Sequence, residues 1–333
     1  MSTYTRVGTF NVLNLVSAGV PYYEAGSEYS AEEFSAKTEW IGRQLDRMQA
    51  DVVGFQEVFH ASALQAALNE SERLRGITPI IVGTDDTESP AMHPGVALAS
   101  RLPAELMATI TRFPDAVRFD DAILQVNIDS FSRPVLKAKV EVFPGIEATV
   151  FVAHLKSKRP TYLPEESSGN PVHRALGTTR ALVRRAAEAA ALRVLVVHEM
   201  QGNQRPVIVL GDLNDGDRAV TTQMIAGDPP FYKMSRNSKE PIWDVLLYSA
   251  QEIQLRQSTS DVYYTHIYNS FHEALDHILV SEEFYARNPD RIAELDYVHV
   301  FNDHLIDEAQ TFEEMPRTQS DHGQVVARLR LRE

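Results

Sequence analysis

Short runs rich in Val and Ile recur along the chain and alternate with stretches of helical period, and this alternation restricts the fold more than any single motif does. The runs read as strands at Arg6–Leu13, Val52–Gln56, Pro79–Val82, Gly95–Ser100, Ala122–Ile128, Val135–Phe143, Thr149–His154, Val207–Leu210, Tyr263–Tyr268, Ala274–Val280, Leu295–Phe301 and Gln324–Leu331. Several follow one another with no helix between them, which calls for antiparallel neighbours, so mixed sheets in an α/β fold are expected. One helix start is legible in Ser30 and Glu33, a capping box ahead of Phe34, Trp40, Ile41 and Leu45. A second helix is expected from His173 to about Met200, packing on a sheet through Leu176, Val183, Ala187, Ala190, Val194 and Val197. The segment Lys156–Pro171 is an unusually long loop and a candidate substrate-binding element. No repeat and no Gly/Ser/Pro-rich linker divides the 333 residues, so one domain spanning residues 1–333 is expected.

Composition removes several function classes. The chain has no Cys, which excludes a disulfide framework, a zinc ribbon and a thiol nucleophile. Its 32 Lys and Arg against 46 Asp and Glu give a formal charge of −14, which repels polyanions at long range and argues against general DNA binding. The most apolar stretch, Ala186–Val197, contains Glu188 and Arg193 and is too short to span a membrane. The start runs into an apolar segment interrupted by Asn11 and Asn14 without a basic n-region, so it reads as cytoplasmic, or secreted if a signal was removed from it.

Polar residues fall at the ends of these apolar runs, where a sheet presents side chains to a ligand crevice. They are Asn11, Glu57, His154, Asp212, Asn214 and Asp276, and the pair Asp321-His322. Singly, each has an ordinary explanation: Asp or Asn beside Gly forms turns, and a His at a strand end is usually a surface or satisfied core residue. In this order they resemble the endonuclease/exonuclease/phosphatase superfamily of metal-dependent phosphodiesterases and phosphatases, along the chain from Asn11 to His322. The segments Thr9–Leu15, His154–Lys158, Gly211–Asp215 and Leu275–Val280 look most like its bacterial branch of predicted extracellular nucleases.

The resemblance implies a four-layer α/β sandwich, two mixed sheets face to face with helices outside and a site at one end. Phosphate-ester hydrolysis needs a hard cation on the phosphoryl oxygens, an activated water and help for the leaving oxygen. Glu57, with Asn11 as a neutral oxygen donor and Asp321 as a second carboxylate, is expected to hold Mg²⁺, with Mn²⁺ as a substitute. By resemblance, Asp212 orients or deprotonates the water and Asn214 donates to the phosphoryl group. His322, paired with Asp276, acts as base or as an imidazolium contact, and His154 donates to the phosphate or leaving group. Either His322 or Asp212 takes the water's proton.

Departures from the family pattern narrow the reading. Leu13 stands where abasic-site endonucleases carry Asp and His154 where they carry Tyr, which argues against abasic-site repair. Leu210 stands where inositol polyphosphate 5-phosphatases carry Trp, and their Cys is absent. From His154 to Arg185, seven Lys and Arg face two Glu, a local +5, from which Lys156, Lys158 and Arg159, with Arg133, are taken as phosphate contacts. Six of the 11 His lie between positions 266 and 322, which raises a second, transition-metal site as an alternative to ordinary surface His. The expected function is therefore a Mg²⁺-dependent phosphodiesterase acting on nucleic acid as an endonuclease, with no obligate protein partner. The alternative is hydrolysis of a small or lipid phosphate ester, for which Tyr22-Tyr23 and Tyr263-Tyr264 are the candidate membrane-entering aromatics. A non-catalytic scaffold is disfavoured, because an uncompensated cluster of buried carboxylates is costly.

Overall fold

The computed structural model describes residues 3–117, 119–121, 126–258 and 262–332. Two six-stranded mixed sheets dominate it. In the first, the strands run in the order Ala293–Phe301, Gln324–Leu331, Tyr4–Leu15, Val52–Val58, Gly95–Ser100, Ile80–Val82. In the second the order is Leu247–Ser249, Asp276–Ser281, Val207–Asp212, Ile146–His154, Ser130–Phe143, Ala104–Arg112. Tyr4–Leu15 is parallel to Val52–Val58 but antiparallel to Gln324–Leu331, and Val207–Asp212 is parallel to Ile146–His154 but antiparallel to Asp276–Ser281.

Strand alternation assigns the faces. Val7, Val52, Leu98, Val150, Val152, Ile208, Leu210, Ile278, Val280, Val325 and Ala327 form the core between the sheets. Their neighbours Phe10, Val12, Val53 and Phe55 turn outward against Trp40, Ile41, Leu45 and Leu64 of the helices Ala31–Met48 and Ala61–Glu70. On the other side Phe151, Val209 and Leu279 pack against Ala189, Leu192 and Val196 of the helix Pro171–Met200. The layers are thus helix, sheet, sheet, helix, as the four-layer reading requires. They approach closely at Gly54, where an added Cβ would stand 3.2 Å from the side chains of Val152 and Leu210.

Gly95–Ser100 and Gln324–Leu331 begin and end where the pattern placed them, and Ser30 and Glu33 form the capping box. Of the expected Ala122–Ile128 strand, Val126–Ile128 is a strand and 122–125 lie outside the described residues, as do residues 1–2. The long helix starts two residues early, with Pro171 in its first turn behind an Asn170 cap. Its buried stripe is also wider than the apolar one: Ala181, Arg185, Glu188, Leu192, Val196 and Glu199 are buried, whereas Leu176 is exposed. Charged side chains occupy inward positions because each has a partner, Arg185 with Asp215, Glu199 with Lys137, and Glu188 with the backbone amides of Ser132 and Lys156.

Candidate active site

The inner face of each sheet is apolar along most of its length and turns polar at one end. Val150, Val152 and His154 share a face, as do Ile208, Leu210 and Asp212, and Ile278, Val280 and Asp276. Register then sets the three polar residues side by side, since Asp212 is the strand partner of both His154 and Asp276. Gly211 permits this, because its backbone lies so close to the carbonyl of Ala153 that no Cβ could fit. From the facing sheet, Asn11 continues the face of Val7 and Thr9, and its amide Nδ2 donates to Asp212 Oδ2 at 3.1 Å. Glu57 should by alternation point outward with Phe55. A register shift between Gln56 and Val58 and a left-handed backbone at Glu57 (φ 63°) turn it to the site instead. The adjoining strand shifts register between Asn11 and Leu15, with Leu13 and Asn14 also left-handed. Such conformations cost about 1–3 kcal/mol each in non-Gly residues and concentrate where a side chain must be aimed.

Asp321 and His322 arrive from the loop before Gln324–Leu331. Ser320 fixes this loop, its hydroxyl donating to the Asn11 carbonyl and accepting from the His322 amide. His322 Nδ1 lies 2.7 Å from Asp276 Oδ2, while Nε2 is 3.8 Å from Asp212 Oδ2. His154 Nε2 is 3.5 Å from the same Asp212 oxygen. The two imidazoles therefore flank one carboxylate, but in opposite states. Burial drives the pKa of His154 well below the usual value, and the positive charges of Arg133 and His322 add to this. Burial acts on His322 in the same sense, but Asp276 and Asp212 outweigh it and hold the imidazolium well above its ordinary range. Asp212 is pushed up to about 7, chiefly by burial, with His322 opposing and Asp276 reinforcing.

Asn214 is anchored at φ 55°, its backbone amide on Asp212 Oδ1 (2.8 Å) and its side-chain amide on the Leu155 carbonyl (3.0 Å). The basic residues divide. Arg133 donates to the Leu155 carbonyl at 3.3 Å, and its Nε is buried without a hydrogen-bond partner. Lys156 is half-buried, its pKa lowered to about 8 mainly by burial and then by Arg133. Lys158 is engaged with Glu273 at 2.6 Å and Asp215 at 3.7 Å. Arg180 is bidentate on Glu166, Arg185 is buried on Asp215, and Arg159 is exposed. Part of the local +5 is thus compensated internally.

Lys37 escaped the sequence reading, and His266 stood in it only as one of six clustered His. Lys37, fully buried in the first helix, has its ammonium pKa brought down to about 7 by burial, with Asp321 and Glu57 opposing. A helical Lys ordinarily reads as solvated, and only its place behind the apolar Phe34 hinted otherwise. His266 Nε2 is 3.8 Å from Asp321 Oδ2, and its ring is 5.0 Å from that of His322. Burial alone would raise Asp321, but the nearby imidazoles of His266 and His322 hold it at about 2. Of the six clustered His, only these two meet in a possible metal-binding group, with Asp321, among the described residues. His277 binds the Asp215 carbonyl, His304 the His322 carbonyl, and His272 and His299 lie against Tyr264 and Tyr297.

The donor set suits a hard divalent cation. Glu57 accepts only from amides, Asn11 Nδ2 at 3.4 Å and the Asn14 backbone at 3.0 Å, with no Lys or Arg paired to it among the described residues. Asp321 Oδ1 is buried and has no hydrogen-bond partner. Oxygen donors left in this state are what Mg²⁺ or Mn²⁺ would complete.

The sequence matches the Endonuclease/Exonuclease/phosphatase family over residues 8–322, and the chain belongs to that family. Its members are phosphoric ester hydrolases that generally use divalent metal ions. No curated protein matches the chain. Among solved structures it is similar to the human Nocturnin catalytic domain with a bound sulfate anion, at 18% identity and a TM-score of 0.56, over 100% of this chain and 96% of that one. It is similar to D. rerio TDP2 humanized by 14 mutations, at 16% identity and a TM-score of 0.55, over 98% and 99%. It is also similar to the Bacteroides thetaiotaomicron mannosyl-6-phosphatase, at 16% identity and a TM-score of 0.55, over 98% and 99%. At these identities the likeness is one of fold.

Proposed function

We propose that the chain is a single-domain, Mg²⁺-dependent phosphodiesterase that cleaves nucleic acid internally, of the bacterial extracellular-nuclease type. The observation that carries this reading is the buried cluster at the mouth between the sheets, in which Asp212 is bonded to Asn11 and flanked at 3.5 Å by His154, whose pKa is lowered, and at 3.8 Å by His322, whose pKa is raised. Glu57 and Asp321 would hold the cation, which supplies charge neutralisation at the phosphoryl oxygens, while Asn11, expected from sequence as a third oxygen ligand, instead turns its Nδ2 to Glu57 and Asp212 because its oxygen accepts from Leu13 N. His322, already protonated and steadied by Asp276, is a poor proton acceptor and a good donor to a phosphoryl oxygen. That leaves Asp212, poised at about 7, to orient the attacking water and take its proton. His154 holds the inner side of that carboxylate, Asn214 fixes its other oxygen, and Arg133, Lys156 and Arg159 meet the substrate phosphates with Lys158 behind them.

The second reading, a small or lipid phosphate ester, draws on two observations. The basic segment is partly neutralised by internal pairs, Lys158 with Glu273 and Arg185 with Asp215. An exposed aromatic hairpin also stands on the chain, though at Tyr268 and Phe271 rather than at Tyr263-Tyr264, which are half-buried. Among the described residues no helix is long and apolar enough to cross a membrane, so membrane contact would be peripheral. An assay with Mg²⁺ or Mn²⁺ over plasmid DNA, single-stranded DNA, RNA, bis-p-nitrophenyl phosphate, p-nitrophenyl phosphate and sphingomyelin separates the two. Cleavage of nucleic acid without monoester hydrolysis is the expected result. Turnover of only monoesters or sphingomyelin would overturn the nuclease reading.

A further inference from the structure

Between the strand Tyr4–Leu15 and the helix Ala31–Met48 the chain makes a loop whose tip carries Tyr23 in a left-handed conformation, φ 61°. A non-Gly residue is held there by backbone bonds on both sides, Tyr23 N to the Ala91 carbonyl at 3.0 Å and Ala91 N to the Pro21 carbonyl at 2.8 Å. Behind it is a buried aromatic footing. Tyr23 meets Phe59 at 5.4 Å between centroids and 80° between planes, and Tyr22 at 6.3 Å and 71°, while Tyr22 stacks on the buried Tyr29 at 5.5 Å. Both neighbours of Tyr23 are nearly perpendicular to it, so neither stacks in parallel on its ring, and the residue remains 44% exposed.

Phe59, against which Tyr23 rests, lies two residues beyond Glu57, so the ring borders the catalytic mouth. Burial and the charge of Glu57 raise the phenol pKa, while Arg133 lowers it by charge and hydrogen bond and Arg159 lowers it by charge. The phenol is hydrogen-bonded to Arg133, whose Nε is buried without a partner. A rigid, half-exposed ring next to guanidinium groups is the combination that binds a flat group joined to a phosphate.

We propose that Tyr23, backed by Phe59 and Tyr22, is a stacking platform for a ring carried by the substrate, and that Arg133 with Arg159 takes the phosphate attached to it, forming a nucleotide-binding subsite. This rests on the nuclease reading for its place in turnover. Its ligand chemistry is measured without turnover.

Calorimetric binding of thymidine 5′-monophosphate and of inorganic phosphate to the full chain is the test, run with a parallel cleavage assay on a single-stranded oligonucleotide. Tyr23→Ala should weaken thymidine monophosphate about tenfold or more and leave inorganic phosphate unchanged, while Tyr23→Phe should stay near the wild type. Tyr23→Gly, which suits φ 61°, should reproduce the Ala result and so exclude a backbone artefact. Arg133→Ala should weaken both ligands. Unchanged nucleotide binding in Tyr23→Ala, or an equal loss for nucleotide and phosphate, would overturn the subsite. An uncleaved oligonucleotide together with a selective loss in Tyr23→Ala would overturn the nuclease reading and leave the subsite standing.

Discussion

The two sheets contribute to the site by different means. The second sheet presents His154, Asp212 and Asp276 from regular, in-register strands, and their properties come from burial and from one another. The first sheet presents Asn11 and Glu57 through shifted register and left-handed backbone at Leu13, Asn14 and Glu57. Proton chemistry needs groups whose pKa is tuned, which a dry, well-packed strand end supplies. Cation binding needs oxygens aimed at one point, which a flat strand cannot supply unless its alternation is broken.

If this division is right, removing the cation has the largest effect. EDTA should abolish turnover, and Glu57→Gln should raise the Mg²⁺ concentration needed for half-maximal rate and cut activity by orders of magnitude. A rate insensitive to EDTA would remove the first sheet's role altogether. Next in size, Asp212→Asn at saturating Mg²⁺ should lower kcat by about 10²–10⁴-fold with little change in KM, since its work belongs to the transition state. A change confined to Mg²⁺ dependence would move Asp212 to the metal side of the comparison. His322→Ala should cost a comparable factor, and adding Asp276→Asn should cost little more, because the 2.7 Å pair acts as one unit. Additive losses would mean that Asp276 works elsewhere.

Smaller effects sharpen the outer boundary of the site. Replacing Lys156, Lys158 and Arg159 together by Ala should raise KM for nucleic acid several-fold and flatten its salt dependence, and leave bis-p-nitrophenyl phosphate nearly unchanged. Lys158 should contribute least, being already held by Glu273 and Asp215. The last prediction concerns stability alone. Glu199 is buried between Lys137, Arg205 and Thr149; burial opposes its ionisation, but these partners hold its pKa at about 2 against an ordinary 4.5. A depressed carboxylate pKa stabilises the fold above about pH 4.5, and the contribution, on the order of 3 kcal/mol, is lost as pH falls toward 2. Glu199→Gln should lower Tm at pH 7 and reduce the Tm difference between pH 7 and pH 3. An unchanged acid transition would show that the ion pair adds nothing.

Much of the fold was legible because the sandwich core obeys strand alternation, and the polar residues that end its inner faces marked the site. What stayed hidden had contrary local signals. Ala104–Arg112 is an edge strand with mostly exposed side chains, so it carries no apolar period. The stripe of the long helix was right at Val183, Ala187, Ala190 and Val194 but too narrow, because Arg185, Glu188 and Glu199 also face inward with partners that only the tertiary structure supplies. His266 sat among histidines with no local feature to distinguish it. Tyr23 was noted only as half of an aromatic pair, since its relation to Arg133 spans 110 residues of chain.

The bond from Asn11 to Asp212 joins residues 201 apart, and the loop that delivers Asp321 and His322 is fastened by a strand lying beside Tyr4–Leu15. The cluster is therefore incomplete until Gln324–Leu331 has paired with Tyr4–Leu15, elements more than 300 residues apart in the chain, because such a domain folds as a unit. Loss of Gln324–Leu331 would remove the anchor of Asp321 and His322 and leave Asp276 and Asp212 without their imidazole partner, so the cluster stands or falls with the whole sandwich.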